Sequence, residues 1–180
     1  TLREIARQPM FITAVAASAL GYGVMNLLMA ATPIAMAQCK HPFESAALVL
    51  EWHVLGMFLP SFVTGHLIRR FGELPIMAIG ALLNFACVAV ALSGVDLMQF
   101  LVALFLLGVG WNFLYTGGST LLLRAYRPEE KNKAQGAMDF CVFATMAFTS
   151  FASGALVTTQ GWTWLNAGSL LSLLPTLVFF

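Results

Sequence analysis

The chain has 180 residues, of which 59% are hydrophobic and only 9% are charged, with a mean hydropathy of +0.84. Since a soluble domain carries about a quarter charged residues, this composition excludes a soluble enzyme and indicates an integral membrane protein. The three cysteines, Cys39, Cys87 and Cys141, are far apart in or beside apolar segments, which argues against a disulfide framework.

Six apolar segments are long enough to span a bilayer, which takes roughly 20 helical residues. We therefore predict one all-α membrane domain over residues 1–180, with spans at about 10–38, 44–67, 75–93, 97–123, 134–158 and 163–180. The chain starts at Thr1 without an initiator Met and ends inside an apolar run. We expect it to be part of a longer protein.

The basic residues are unevenly distributed between the two sides of these six spans. The N-terminal segment and the second and fourth loops share one side, and the opposite side holds only Lys40. Because Lys and Arg concentrate in cytoplasmic loops, we expect both chain ends to be cytoplasmic. The eight residues on that side are Arg3, Arg7, Arg69, Arg70, Arg124, Arg127, Lys131 and Lys133.

Two pairs of soft donor side chains occur in the first and second spans. Met25 and Met29 are spaced i,i+4, as are His53 and Met57, so each pair lies on one helix face. At 1.5 Å per residue, Met25 and His53 both lie roughly 21 Å from the cytoplasmic boundary. Thioether and imidazole donors together favour Cu(I), which predicts one shared site. Two alternatives stay open, a methionine packing stripe and a buried histidine bonded to a carbonyl.

Other residues in the same two spans are secondary candidates. Met36 and Cys39 continue the methionine stripe of the first span and are further possible copper ligands. Glu51 is a carboxylate inside the second span, and ionisable residues in a membrane segment are rare and often functional. We interpret Glu51 as a proton-binding or polar coupling residue, with a structural hydrogen bond as the alternative.

The sequence contains no constellation typical of catalysis. It has no nucleotide-binding glycine loop, no CxxC motif and no recognisable nucleophile with a base. We therefore expect that the protein is not an enzyme and has neither a permanently bound cofactor nor a nucleic-acid partner. We expect the lipid bilayer to surround it. The Trp and Tyr residues are interpreted as packing and interface aromatics.

The loop sequence from Gly65 to Gly72, with Arg70 between them, resembles the G-x-x-x-D-R-x-G motif of the major facilitator superfamily. Arg69 stands where that motif has Asp. Residues 127–136 are similar to the basic stretch before the eleventh helix of the same family. The resemblance implies half of a twelve-helix fold, a 3+3 helix repeat whose partner is an N-terminal six-helix half. It also implies a gating role for Gly65, Arg70 and Gly72.

We expect the basic cytoplasmic residues to form ion pairs at this gate. The acidic candidates for these pairs are Glu73, Glu129, Glu130 and Asp139.

The two donor pairs also resemble the MxxxM and HxxxM motifs of CcoA-like bacterial copper importers. That resemblance implies that Met25, Met29, His53 and Met57 bind copper, as a transported substrate, in an alternating-access importer of the bacterial inner membrane. Two other functions remain open. One is a major facilitator transporter of a small organic solute, and the other is a membrane copper sensor or assembly scaffold.

Overall fold

The computed structural model describes residues 2–178, and the regular structure of this part is helical, which confirms the all-α prediction. The helices are α1 (Leu2–Ile5), α2 (Pro9–Gln38), α3 (Phe43–Phe58), α4 (Ser61–Phe71), α5 (Glu73–Ser93), α6 (Leu97–Leu122), α7 (Lys131–Thr159) and α8 (Gly161–Val178). A 3₁₀ turn, Pro128–Glu130, precedes α7.

Within residues 2–178, five helical segments are long and apolar enough to cross a membrane. They are Pro9–Gln38, Phe43–Phe71, Glu73–Ser93, Leu97–Leu122 and Pro128–Thr159. The sixth predicted span, 163–180, corresponds to α8, which is not among these five. The last two residues of that predicted span, 179–180, lie outside the described part of the chain. The count of six therefore stays a prediction.

The second predicted span, 44–67, lies within the helical segment Phe43–Phe71, which the structure divides into α3 and α4. Its helix stops at Phe58 and resumes at Ser61, because Pro60 has no N–H to donate to the preceding turn. Asn112 of α6 fills the break, since its Nδ2 donates to the Met57 carbonyl at 2.8 Å and to Ser61 Oγ at 2.7 Å. A side chain from another helix thus replaces backbone bonding here.

Helix α6 is the centre of the bundle and packs against α2, α3 and α5. Glycines bring α3 and α6 into close approach. A Cβ on Gly108 would lie 2.5 Å from the carbonyl oxygen of His53, and one on Gly56 would lie 2.6 Å from that of Phe105. No larger residue fits at either position unless the two backbones separate.

Two clusters of buried apolar side chains form the interior. One contains Met25, Met57 and Trp111 together with other residues of α2, α3, α5, α6, α7 and α8. The other lies around α2, α5, α6 and α7. Tyr22 and Tyr115 are half-buried and pack against both clusters, so the contact between α2 and α6 at these tyrosines joins the two halves of the core.

Candidate functional site

Three aromatic rings from α2 and α6 meet inside the predicted membrane region. Tyr22 stands edge-on to Trp111 and Tyr115, with ring centroids 5.2 and 5.3 Å apart. Trp111 and Tyr115 are nearly parallel, with an interplanar angle of 7° and centroids 5.4 Å apart. These are favourable aromatic geometries. We call Tyr22, Trp111 and Tyr115 the ring cluster.

Helical spacing explains how the ring cluster forms. Trp111 and Tyr115 are four residues apart on α6 and so share one face, which Tyr22 meets from α2. Phe58, the last residue of α3, adds a fourth ring edge-on to Trp111 at 6.3 Å. Trp111 is buried, whereas the two tyrosines are half-buried. Part of the aromatic surface is therefore open to a further ring.

A polar group lies next to Tyr22 along α2. Asn26 lies one turn beyond Tyr22 and Met29 nearly two turns beyond, so the three residues share a helix face. Asn26 Nδ2 lies 2.8 Å from Ser150 Oγ, 3.0 Å from Thr149 Oγ1 and 3.1 Å from the Met146 carbonyl oxygen. The aromatic surface on α2 thus has hydrogen-bonding groups of α7 beside it.

His53 is fully buried, and its Nδ1 lies 2.7 Å from the Leu104 carbonyl oxygen. Since a carbonyl only accepts, Nδ1 carries the proton and Nε2 of the neutral ring is an acceptor. Nε2 has no hydrogen-bond partner in the described part of the chain. This bond to Leu104 is the one expected for a buried histidine with a purely structural role. Metal-ligating histidines are oriented by the same kind of bond.

The other copper candidates have different surroundings. Met25, Met36 and Met57 are buried in one core cluster, against which the half-buried Met29 packs, and Cys39 is half-buried just after α2. Contact between α2 and α3 is slight compared with the contact that each makes with α6. Within residues 2–178, no three His, Cys, Asp or Glu side chains form a metal-binding group, so a metal here would rest mainly on Met sulfur.

Glu51 lies on the exposed face of α3, in a surface depression with Ala47, Leu50, Val54 and Leu55. Its carboxyl group has no hydrogen-bond or ion-pair partner among residues 2–178. Glu51 precedes His53 by two residues, so the two side chains point to different sides of the helix. The coupling role predicted for Glu51 therefore does not come from a direct contact with His53 on the same helix.

The predicted gate residues lie around the connection from α4 to α5. Gly72 has φ of +90°, a backbone conformation that favours glycine, while the Arg70 guanidinium lies over the Phe71 ring at 5.3 Å. Glu73 begins α5 and pairs with Arg124 at 3.2 Å. The expected ion pair between Glu73 and a basic loop residue is confirmed. Gly65 is exposed, with open space around it.

Long apolar helices around α6, with aromatic and neutral polar groups between them, define a polytopic helical membrane protein. The family model of the Major Facilitator Superfamily matches residues 11–180. The chain belongs to this superfamily, which confirms the wider of the two resemblances.

Three relatives narrow the comparison. The riboflavin transporter RfnT of Brucella anthropi is 46% identical over 165 residues, covering 92% of this chain and 42% of the relative. The uncharacterised transporters YddS and YdeG of Bacillus subtilis are each 34% identical, covering 87% and 84% of this chain and 37% and 36% of the relatives. The chain thus spans about two-fifths of their length. None of the three is named as a copper importer, so the narrower resemblance is not shown.

The ring cluster is not predicted from the sequence, where Trp and Tyr are interpreted as packing and interface residues. The i,i+4 spacing of Trp111 and Tyr115 marks a shared face. No local pattern, however, relates them to Tyr22, which precedes Trp111 by 89 positions.

Proposed function

We propose that this chain is part of a transporter that moves a small organic solute with a planar aromatic ring system across the membrane by alternating access. The ring cluster is the observation that carries the proposal, since flat heteroaromatic groups bind to aromatic side chains by stacking. The riboflavin transporter among the relatives makes riboflavin the first solute to test. Copper uptake becomes the second candidate.

The exposure of the rings supports contact with a solute. Trp111 backs the cluster as a buried ring, and Tyr22 and Tyr115 keep open surface on one side. Ligand sites are mostly apolar with a few placed polar groups, and Asn26 of α2 with its hydrogen-bond partners on α7 meets that description. Stacking of a flat base on an aromatic side chain contributes about 1–3 kcal/mol, enough to orient a solute without trapping it.

The membrane arrangement in this proposal follows the charge pattern. Both ends lie in the cytoplasm of a bacterial inner membrane, an N-terminal six-helix half completes the transporter, and Gly65, Arg70 and Gly72 belong to the cytoplasmic gate. Glu51 binds a proton or meets a polar group of that other half, because an unpaired carboxylate on a membrane face is costly.

Riboflavin uptake by the full-length protein in proteoliposomes tests the proposal. Replacing Tyr115→Leu removes a stacking ring and should lower uptake at subsaturating riboflavin about tenfold, whereas Tyr115→Phe keeps the ring and most of the uptake. The control is Trp164→Leu, which removes an aromatic side chain that is 70% exposed on α8. Equal uptake by Tyr115→Leu and wild type would remove the ring cluster from the path.

Copper uptake rests on the free Nε2 of His53 and on the sulfur atoms of Met25 and Met57, which lie in one core cluster. Replacing Met25 and Met29 together by Leu keeps volume and apolarity. If the protein transports an aromatic organic solute, riboflavin uptake should persist in this variant. Loss of copper accumulation in the same variant would favour the importer. Copper binding without any uptake would favour the sensor or scaffold.

A further inference from the structure

We infer that Ser150, held in place by Asn26, is a hydrogen-bonding subsite for the polar, non-aromatic part of the solute. The inference rests on the proposed function, which places the aromatic part of that solute on the ring cluster. It assigns the solute to the uncharged compounds that join a planar heteroaromatic ring to a hydroxylated chain.

Asn26 holds the Ser150 oxygen in place by hydrogen bonding. Its amide NH₂ has two protons, yet three acceptors lie within 3.1 Å, namely Ser150 Oγ, Thr149 Oγ1 and the Met146 carbonyl oxygen. Asn26 is itself buried. The amide therefore fixes α7 against α2 and keeps the Ser150 oxygen in a defined position as an acceptor.

The hydroxyl proton of Ser150 remains available to a ligand. Hydroxyls on membrane helices usually donate to the carbonyl four residues earlier, and four threonines of α7 do so: Thr145, Thr149, Thr158 and Thr159. The carbonyl available to Ser150 is that of Met146, which already faces Asn26 Nδ2 and Thr149 Oγ1. Ser150 is exposed, and its proton has no acceptor among residues 2–178.

Asn26 and Ser150 lie near the ring cluster. Asn26 follows Tyr22 by four residues, which is about 6 Å along α2 and nearly the same direction around it. Met146, one turn before Ser150 on α7, packs against the same core cluster as Tyr22 and Tyr115. A donor and acceptor hydroxyl thus lies about one turn from the aromatic surface, a spacing suited to a ring that carries a short polar chain.

The side chains around Ser150 carry no charge. Ring cluster, Asn26, Thr149 and Ser150 are all neutral, and a charged group needs a paired counter-charge when it leaves water. The subsite therefore favours an uncharged hydroxylated chain over its phosphorylated form.

The experiment compares two flavins that differ only in the chain. Riboflavin carries a sugar-alcohol chain, and lumiflavin carries a methyl group at that position of the same ring system. Initial uptake of each is measured in proteoliposomes containing the full-length protein, either wild type, Ser150→Ala or Thr158→Val. The Thr158 control removes a hydroxyl of the same helix that is already bonded within it.

Ser150→Ala should raise the KM for riboflavin roughly three- to tenfold, the loss expected for one hydrogen bond, and leave lumiflavin uptake unchanged. Thr158→Val should change neither. Equal losses with both flavins, or no loss with either, would overturn the subsite while wild-type uptake still supported the proposed function. If the wild type carried neither flavin, the proposed function would fail, and the subsite with it.

Discussion

The two sides of α6 differ in how closely other helices approach them. On the α3 side, Gly56 and Gly108 bring two backbones together, and His53 and Asn112 bond across the contact. On the α2 side, the ring cluster lies between the helices with one buried and two half-buried aromatic side chains. Small residues let the two helix backbones pack closely, a closed contact that leaves no space for a ligand between them. Large aromatic residues leave part of the ring surface open, and the proposed solute would bind there.

The closed contact is broken most severely at Gly108. The change Gly108→Ala places a Cβ against the His53 carbonyl oxygen and the Met57 backbone, and backbone atoms cannot rotate away. We expect a loss of about 3 kcal/mol in the free energy of unfolding, the upper end of the usual cost of overpacking, measured as a large drop in the melting temperature and in the monodisperse yield in detergent.

The matched control for Gly108 is Gly154→Ala on α7, where a Cβ meets no atom within 4 Å. Alanine is the better helix former by about 1 kcal/mol, so this variant should melt at or slightly above the wild-type temperature. If both variants melted alike, the α3–α6 contact would not be closed.

A smaller loss should follow removal of Asn112, which spans the break between α3 and α4. The change Asn112→Ala frees the Met57 carbonyl and Ser61 Oγ and deprives Thr64 of one acceptor. Thr64 retains the Pro60 carbonyl at 2.8 Å, so we expect about 2–3 kcal/mol, the penalty for buried groups left unpaired. Thermal melting measures it, with the exposed Asn132→Ala as control. A shift no larger than that of the control would contradict a role for Asn112 in holding the break.

The smallest effect should come from His53→Leu. The variant loses one hydrogen bond to the Leu104 carbonyl, about 1 kcal/mol, and replaces the ring with an apolar side chain in an apolar core. Riboflavin uptake should stay within about twofold of wild type, because His53 belongs to the closed side of α6. Unchanged melting with loss of copper binding would instead identify His53 as a ligand.

Several features of the fold were predictable from residue chemistry alone. Long apolar runs specify membrane helices, since unpaired backbone groups are costly in lipid. The predicted limits of the first and fourth spans, 10–38 and 97–123, are within a residue or so of α2 and α6. The break after Phe58 was missed, although Pro60 marks it, because proline in a membrane helix is often tolerated without interruption, as Pro33 is in α2.

The sequence by itself determined the membrane class, the helical order and the concentration of basic residues in particular loops, because length, polarity and charge are local properties. It also contained the superfamily motif around Gly65 and Gly72. Only the tertiary structure decided that Tyr22 meets Trp111 and Tyr115, that Asn26 holds Ser150, and that His53 bonds to Leu104. The physical reason is that a membrane helix is apolar on its buried and its lipid-facing sides alike, so hydrophobic periodicity does not indicate which face packs inward. That choice depends on the rotation of each helix against α6, set by contacts between residues far apart in the chain.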